Sequence, residues 1–190
     1  MVLSLLVAQA VAAGPALAHH AMGGLLPQTL WQGLLSGLGH PVIGLDHLAF
    51  VAGIGLAAAV AANRWLGPLA YVAATVGGCL LFVQGVALPQ IELAVALSVL
   101  LVGVLVLSGR SLPRPLSLLL FALAGLFHGS AFAESIVGAE ATPLVAYLAG
   151  FAAIQLVIVL LVMLALRGLL RAGTPGAMPA RLAGALVAGI

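Results

Sequence analysis

The sequence predicts an all-α membrane protein, a polytopic helical bundle of about six transmembrane helices with a broken or re-entrant segment near His40-Pro41. The first supporting observation is composition: 5% of the 190 residues are charged and 64% are apolar, whereas soluble domains carry about 25% charged residues. The second is a mean hydropathy of +1.33. The third is the grouping of apolar residues into stretches as long as a bilayer is thick. So few charges cannot coat a water-facing surface, which excludes a soluble globular domain.

Five apolar stretches each provide the roughly 20 residues that a transmembrane helix needs. Prolines at positions 115 and 143 suit the first turn of a helix, where the missing N–H costs little. Trp31, Trp65 and Tyr71 are expected at the membrane interfaces. A further stretch, 181–190, is too short to span, so it is either a half-helix or part of a truncated last helix. The five spans are predicted at 44–62, 66–88, 90–108, 115–137 and 143–166.

An interruption is predicted just before the first of these spans. The apolar stretch 25–38 ends at Gly39-His40-Pro41, and proline disfavours a helical conformation of the residue before it. The chain is therefore expected to break there. Irregular backbone at membrane depth is tolerated only where it is buried in protein or lines a cavity, so this break also predicts a site.

Residues 1–18 have the features of a secretory signal peptide. They are largely apolar and end in Ala16-Leu17-Ala18, an A-x-A cleavage sequence. Cleavage would leave residues 19–190 as a single transmembrane helical domain that begins with His19-His20. The alternative is an uncleaved first helix, because the usual basic n-region is missing.

The arginines predict how the protein is oriented. With alternating spans, all six fall on one side of the membrane, and the opposite loops at 86–90 and 135–142 contain no lysine or arginine. Cytoplasmic loops carry an excess of basic residues. We therefore expect a multi-pass protein of a bacterial inner membrane with its mature N-terminus outside. The six residues are Arg64, Arg110, Arg114, Arg167, Arg171 and Arg181.

Histidines and acids gather on the opposite, outer side. The first group is the motif H-x5-D-H, formed by His40, Asp46 and His47 at the predicted break. On a continuous helix His40 and Asp46 would point about 240° apart, so the break would be needed to bring the imidazoles and the carboxylate to a common point. Asp46, in the first turn of the next helix, also complements the positive end of the helix dipole.

The second group lies toward the outer end of the fourth span, at the depth predicted for the first. It contains His128 and Glu134, with Gly129-Ser130 expected to distort the helix between them. Imidazoles and carboxylates without thiolates are suitable ligands for nickel, cobalt or zinc, and ionisable residues inside a membrane usually mark an ion site or pathway. The predicted metal site comprises His40, Asp46, His47, His128 and Glu134, with His19, His20 and Glu140 as further candidates.

Both motifs resemble those of the HupE/UreJ family of small membrane proteins. The family's second motif is F-H-G-x-A-H-G-x-E, and Phe132 stands where that pattern has its second histidine, a departure that bears on metal preference more than on fold. The final glutamate is also one residue closer. The resemblance covers nearly the whole chain, and it rests on His40, Asp46 and His47 in the first motif and on His128, Gly129, Ala131 and Glu134 in the second.

The resemblance implies inward membrane transport of a divalent transition-metal cation, nickel or cobalt, captured by an outer-face histidine and carboxylate site. The metal ion is then the substrate, and a secondary transporter or permease is expected, not an enzyme. No nucleotide is expected, since the sequence contains no Walker motif. The expected partners are the lipid bilayer, the metal ion and a metalloenzyme maturation system. Nucleic acid is not expected, because the basic pI of about 9.3 reflects six arginines against four acids.

Other functions remain open from the residues alone. An intramembrane zinc-dependent hydrolase would use the histidines as ligands and an acid as its base. A non-transporting metal-binding accessory protein would hold the ion in static coordination. A serine hydrolase based on Ser130 is weaker, since no G-x-S-x-G elbow surrounds that residue. Haem ligation would need two histidines that face each other across helices.

Overall fold

The computed structural model describes residues 25–60, 65–109, 112–171 and 178–189. Those residues form a bundle of helices without any strand, which confirms the all-α prediction. The predicted signal peptide, His19 and His20 lie outside the described residues. The helices are α1 (Leu30–Ile43), α2 (Leu45–Val60), α3 (Leu66–Val83), α4 (Ile91–Ser108), α5 (Arg114–Ala133), α6 (Ala141–Arg171) and α7 (Met178–Ala188).

Four of these helices, α3 to α6, are long and apolar enough to cross a membrane. The helices α1 and α2 meet the same criterion only together, as a bent pair that would make a fifth span. The sequence predicted about six spans and assigned 44–62 as a complete one, whereas α2 has 16 residues and does not qualify alone. The helix α7 has 11 residues, the length of a half-helix.

The predicted break is present, but it lies at Gly44 instead of Pro41. The helix α1 continues through Pro41 to Ile43, and the Gly44 N–H donates to the His40 carbonyl at 3.2 Å. A proline inside a helix removes one backbone donor, and the packing of buried Pro41 in the bundle offsets that loss. Gly44 is extended (φ −77°, ψ 107°), its carbonyl accepts from the Leu48 N–H at 2.8 Å, and the axes of α1 and α2 differ by 80°.

The helix ends carry recognisable sequence signals. The helix α1 begins with a capping box in which Thr29 and Gln32 satisfy each other's backbone N–H groups. Pro115 lies in the first turn of α5, as predicted. The turns α3–α4 and α5–α6 contain Gly85 (φ 89°) and Gly138 (φ 88°), in the left-handed conformation that glycine adopts without steric cost. These two turns and the start of α1 define one end of the bundle, which we call the turn end.

Two pairs of parallel helices pack backbone against backbone through glycines. In the pair α3/α5, a Cβ on Gly129 would collide with the Thr75 carbonyl. In the pair α1/α6, a Cβ on Gly37 would collide with the Tyr147 carbonyl. Small residues permit such close approach in membranes, where packing and not the hydrophobic effect holds helices together. The pair α3/α5 carries His128 and the pair α1/α6 carries His40, whereas Asp46 and His47 lie in α2.

The interior contains two clusters of buried apolar side chains. The larger one fills the space among α2 to α7 and includes Tyr71, which is fully buried. The expectation that Tyr71 lies at a membrane interface is therefore wrong, whereas Trp31 and Trp65 are exposed. The smaller cluster lies near the turn end and contains Cys79, Phe132, Ala133, Ile136, Tyr147 and Phe151.

Candidate metal centre

Two of the predicted site histidines face each other in the interior. His47 lies in the first turn of α2, and His128 lies in the last third of α5. Their Nδ1 atoms are 3.0 Å apart, although the residues are 81 positions apart in the chain. Their exposed fractions are 4% and 0%. The bend at Gly44 redirects the chain just before His47, so that the first turn of α2 reaches α5.

The second ring nitrogen of His128 contacts a serine that the sequence analysis did not identify. Ser98 Oγ lies 2.8 Å from His128 Nε2. The same hydroxyl donates to the Val95 carbonyl, one turn earlier in α4, at 2.7 Å. Ser98 is buried. The sequence offered one indication of this contact, since Ser98 places a hydroxyl within the predicted span 90–108. Polar groups inside a membrane helix usually have a partner on another helix.

His40 belongs to a separate hydrogen-bonded network. Its Nδ1 lies 2.9 Å from the Tyr147 hydroxyl and 3.0 Å from Ser135 Oγ. Both hydroxyls also lie within donor distance of the Phe132 carbonyl, at 2.8 and 3.0 Å. The network joins α1, the end of α5 and the first turns of α6. It holds His40 in place at the turn end.

The ring of Phe132 packs against both His40 and His47. Its centroid lies 5.0 Å from that of His40 and 4.3 Å from that of His47. The centroids of the two histidine rings are 6.1 Å apart. Phe132 is fully buried. His40 and His47, which belong to one sequence motif, therefore lie close together, but their Nδ1 atoms face different partners.

Aromatic rings enclose the paired histidines on the side away from the turn end. The ring of Phe50 lies 4.4 Å from that of His128, and the ring of Tyr71 lies 5.8 Å from it. Both aromatic side chains are fully buried. This wall restricts the movement of His128 and excludes lipid and bulk water from the imidazole pair.

Asp46 supplies a buried carboxylate oxygen beside the pair. Its Oδ1 has no hydrogen-bond partner among the described residues, and the same holds for the Tyr71 hydroxyl. Asp46 directly precedes His47 in the first turn of α2, so its carboxylate lies on the same helix turn as one member of the pair. A buried carboxylate oxygen without a partner is costly. The arrangement is one that a bound cation would stabilise.

The two candidate glutamates lie at the exposed edge of the turn end. Glu134 directly follows the last residue of α5, and Glu140 directly precedes α6. The expected distortion at Gly129-Ser130 is absent, since α5 continues through both residues to Ala133. The structure therefore does not bring Glu134 beside His128. Among the described ranges, no three His, Cys, Asp or Glu side chains are arranged to hold a metal ion.

The geometry also bears on two of the alternative functions. The Ser130 hydroxyl donates to the Leu126 carbonyl at 3.0 Å and lies 3.4 Å from the Gly78 carbonyl, so it serves helix packing instead of acting as a nucleophile. The 3.0 Å between His47 and His128 leaves no space for a haem macrocycle between the two rings.

Comparison with known proteins agrees with the two histidine motifs. Residues 6–190 match the protein family described as HupE / UreJ protein. A relative named Protein HupE, from Rhizobium leguminosarum bv. viciae, is 37% identical over 161 residues, which cover 83% of this chain and 81% of the relative. No solved structure matches the chain. The chain thus belongs to the HupE/UreJ family, as the resemblance of its motifs predicted.

Proposed function

We propose that this protein carries a divalent transition-metal cation, nickel or cobalt, inward across a bacterial inner membrane, and that His47 and His128 form its central binding site. The observation that supports this most directly is the 3.0 Å between the two Nδ1 atoms. When two nitrogens each lie about 2.1 Å from one metal ion and the nitrogen–metal–nitrogen angle is about 90°, the nitrogens are about 3.0 Å apart. The pair therefore has the spacing of adjacent ligands on one ion.

Asp46 supplies the negative charge that two neutral imidazoles lack. Its buried Oδ1 has no partner among the described residues, so it is available to a cation or to a water molecule on that cation. Charged groups inside membrane spans are costly and usually mark an ion pathway. With two imidazole nitrogens and carboxylate and water oxygens, the donor set suits nickel or cobalt.

The remaining candidate residues line an approach from the turn end. Glu134 and Glu140 are exposed there, and acidic residues at a mouth raise the local concentration of cations. His40 follows, held by its hydroxyl network, and its ring lies 6.1 Å from that of His47. The cation would pass from the glutamates to His40 and then to His47 and His128, losing water at each step. His19 and His20 remain candidates for an earlier capture step.

The arginines support the assignment of the turn end to the outer face. Arg114 begins α5, and Arg167 lies near the end of α6, so both are at the end of the bundle opposite Gly85 and Gly138. Basic residues favour the cytoplasmic side. A cation that enters at the turn end would then move inward along the membrane potential, which is worth about 4.6 kcal/mol per 100 mV for a divalent ion. The imported ion would serve a metalloenzyme maturation system.

The deciding experiment measures nickel and cobalt accumulation in cells that express the protein, with His47→Ala and His128→Ala at equal expression. We expect both substitutions to reduce the uptake above background by at least about tenfold, because each removes one of two nitrogen ligands. Glu92→Gln, which changes an exposed acid in the first turn of α4, is the matched control and should transport normally.

The same cells and the purified protein also distinguish the alternative functions. Uptake that persists in both histidine variants would contradict the proposed site. Tight metal binding by purified protein without any uptake would favour a metal-binding accessory protein. Zinc-dependent cleavage of a membrane substrate would favour the hydrolase instead of a permease.

A further inference from the structure

We infer that Ser98 is a positioning residue of this site: it fixes the hydrogen of the His128 ring on Nε2, so that Nδ1 presents its lone pair toward His47. The tautomer follows from the hydrogen bonds alone. Its consequence for metal binding rests on the proposed function.

The Ser98 hydroxyl has two close neighbours but a single hydrogen to donate. Ser98 Oγ lies 2.7 Å from the Val95 carbonyl oxygen and 2.8 Å from His128 Nε2. Two oxygens at 2.7 Å without a hydrogen between them would repel each other, so the hydroxyl hydrogen lies in the bond to Val95. Since a serine hydroxyl has only one hydrogen to donate, Ser98 Oγ must accept from His128.

The state of the other ring nitrogen follows from this assignment. A neutral imidazole carries hydrogen on one nitrogen and a lone pair on the other, so His128 Nδ1 carries the lone pair. That atom faces His47 Nδ1 at 3.0 Å. In the metal-free protein His47 donates to it, and in the loaded protein both nitrogens would face the ion.

The surroundings of His128 hold its ring in one orientation, so the contact with Ser98 is not easily replaced by another. The imidazole is fully buried and lies against the Phe50 ring at 4.4 Å, so the ring has little freedom to turn. Metal-binding histidines commonly use their second nitrogen to donate to a fixed acceptor, and loss of that acceptor typically weakens metal binding by about 10- to 100-fold. Ser98 supplies the acceptor from a different helix.

The test compares Ser98→Ala, Ser98→Thr and Ser108→Ala in the purified full-length chain. Ser108 donates to the Leu105 carbonyl in the same helix at 2.8 Å but is exposed, so it reproduces the backbone contact away from the site. We expect nickel affinity, measured by calorimetry, to fall about tenfold in Ser98→Ala. Ser98→Thr keeps the hydroxyl and should stay within about threefold of wild type, and Ser108→Ala should match wild type.

A second measurement reads the tautomer directly in the metal-free protein. Nitrogen NMR of histidine-labelled protein should show hydrogen on Nε2 of His128 in wild type and in Ser98→Thr, and a mixture in Ser98→Ala. The His128→Gln spectrum identifies the signals. Unchanged affinity and an unchanged tautomer in Ser98→Ala would overturn the inference. Failure of wild type to bind nickel or cobalt would instead overturn the proposed function, while the NMR result would still decide the role of Ser98.

Discussion

The two groups of histidines at the turn end differ in what their ring nitrogens face. His47 and His128 face each other across two helices at 3.0 Å, whereas His40 faces the hydroxyls of Tyr147 and Ser135. All three imidazoles are buried. In the function proposed above, the pair would bind an ion between its nitrogens, whereas His40 would hold helices together and contact the ion on its way. A contiguous sequence motif therefore does not have to form one coordination sphere.

The difference extends to the helix pairs that carry the two groups. His128 lies in α5, which approaches α3 at Gly78, Gly125 and Gly129, whereas His40 lies in α1, which approaches α6 at Gly33, Gly37 and Gly150. His128 and His40 thus each lie in a helix that is fixed by its own close backbone contact, whereas His47 lies in α2. Substitutions in one group, or in the Phe132 ring that contacts both, would show whether the other group responds.

The largest effect is expected from Gly78→Ala. A Cβ on Gly78 would collide with the Leu126 carbonyl and force α3 and α5 apart, which should cost about 1–3 kcal/mol of stability and weaken nickel binding by displacing His128. Thermal unfolding and calorimetry on purified protein measure both effects. Gly77→Ala is the control, because its nearest neighbour would be Leu126 Cδ2 at 4.0 Å. Equal stability of the two variants would contradict this account of the helix contact.

An intermediate effect is expected from Phe132→His, which would join the two groups. The Phe132 ring packs against both His40 and His47, so an imidazole there would add a ligand within reach of both. We expect nickel to bind about tenfold more tightly, because removing one group that supports a metal ligand typically weakens metal affinity by about that factor. Phe132→Leu fills the space without a nitrogen and should not tighten binding. A gain shared by both variants would indicate an effect of packing instead of ligation.

The smallest effect is expected from Tyr147→Phe. The substitution removes a hydroxyl that contacts His40 and the Phe132 carbonyl, and the lost hydrogen bonds should lower stability by about 1 kcal/mol. Because the Tyr147 hydroxyl holds His40, whereas Ser98 holds the central pair, nickel affinity should change less than about twofold. Thermal unfolding and calorimetry test both statements. A loss of affinity as large as that of His47→Ala would place His40 in the same coordination sphere.

The sequence predicted the helical bundle, the broken segment and the family, because apolar stretch length and the histidine motifs are local signals. It predicted a break at Pro41, because proline on average disfavours a helix. That local preference cannot reveal that Pro41 is buried within a continuous α1. It did not identify Ser98, Ser135 or Tyr147 as partners of the histidines. Single hydroxyls in apolar spans have no periodicity that would indicate which helix they meet.

The elbow at Gly44 also bears on membrane thickness. Placed end to end, the 14 residues of α1 and the 16 residues of α2 would extend about 45 Å, well beyond a hydrocarbon core of about 30 Å. With the observed bend of 80°, the two arms reach about 35 Å. The bend thus shortens the pair to a length closer to that of the hydrocarbon core. Because only two residues separate Gly44 from His47, a bilayer that opened or closed the elbow would move an ion ligand directly.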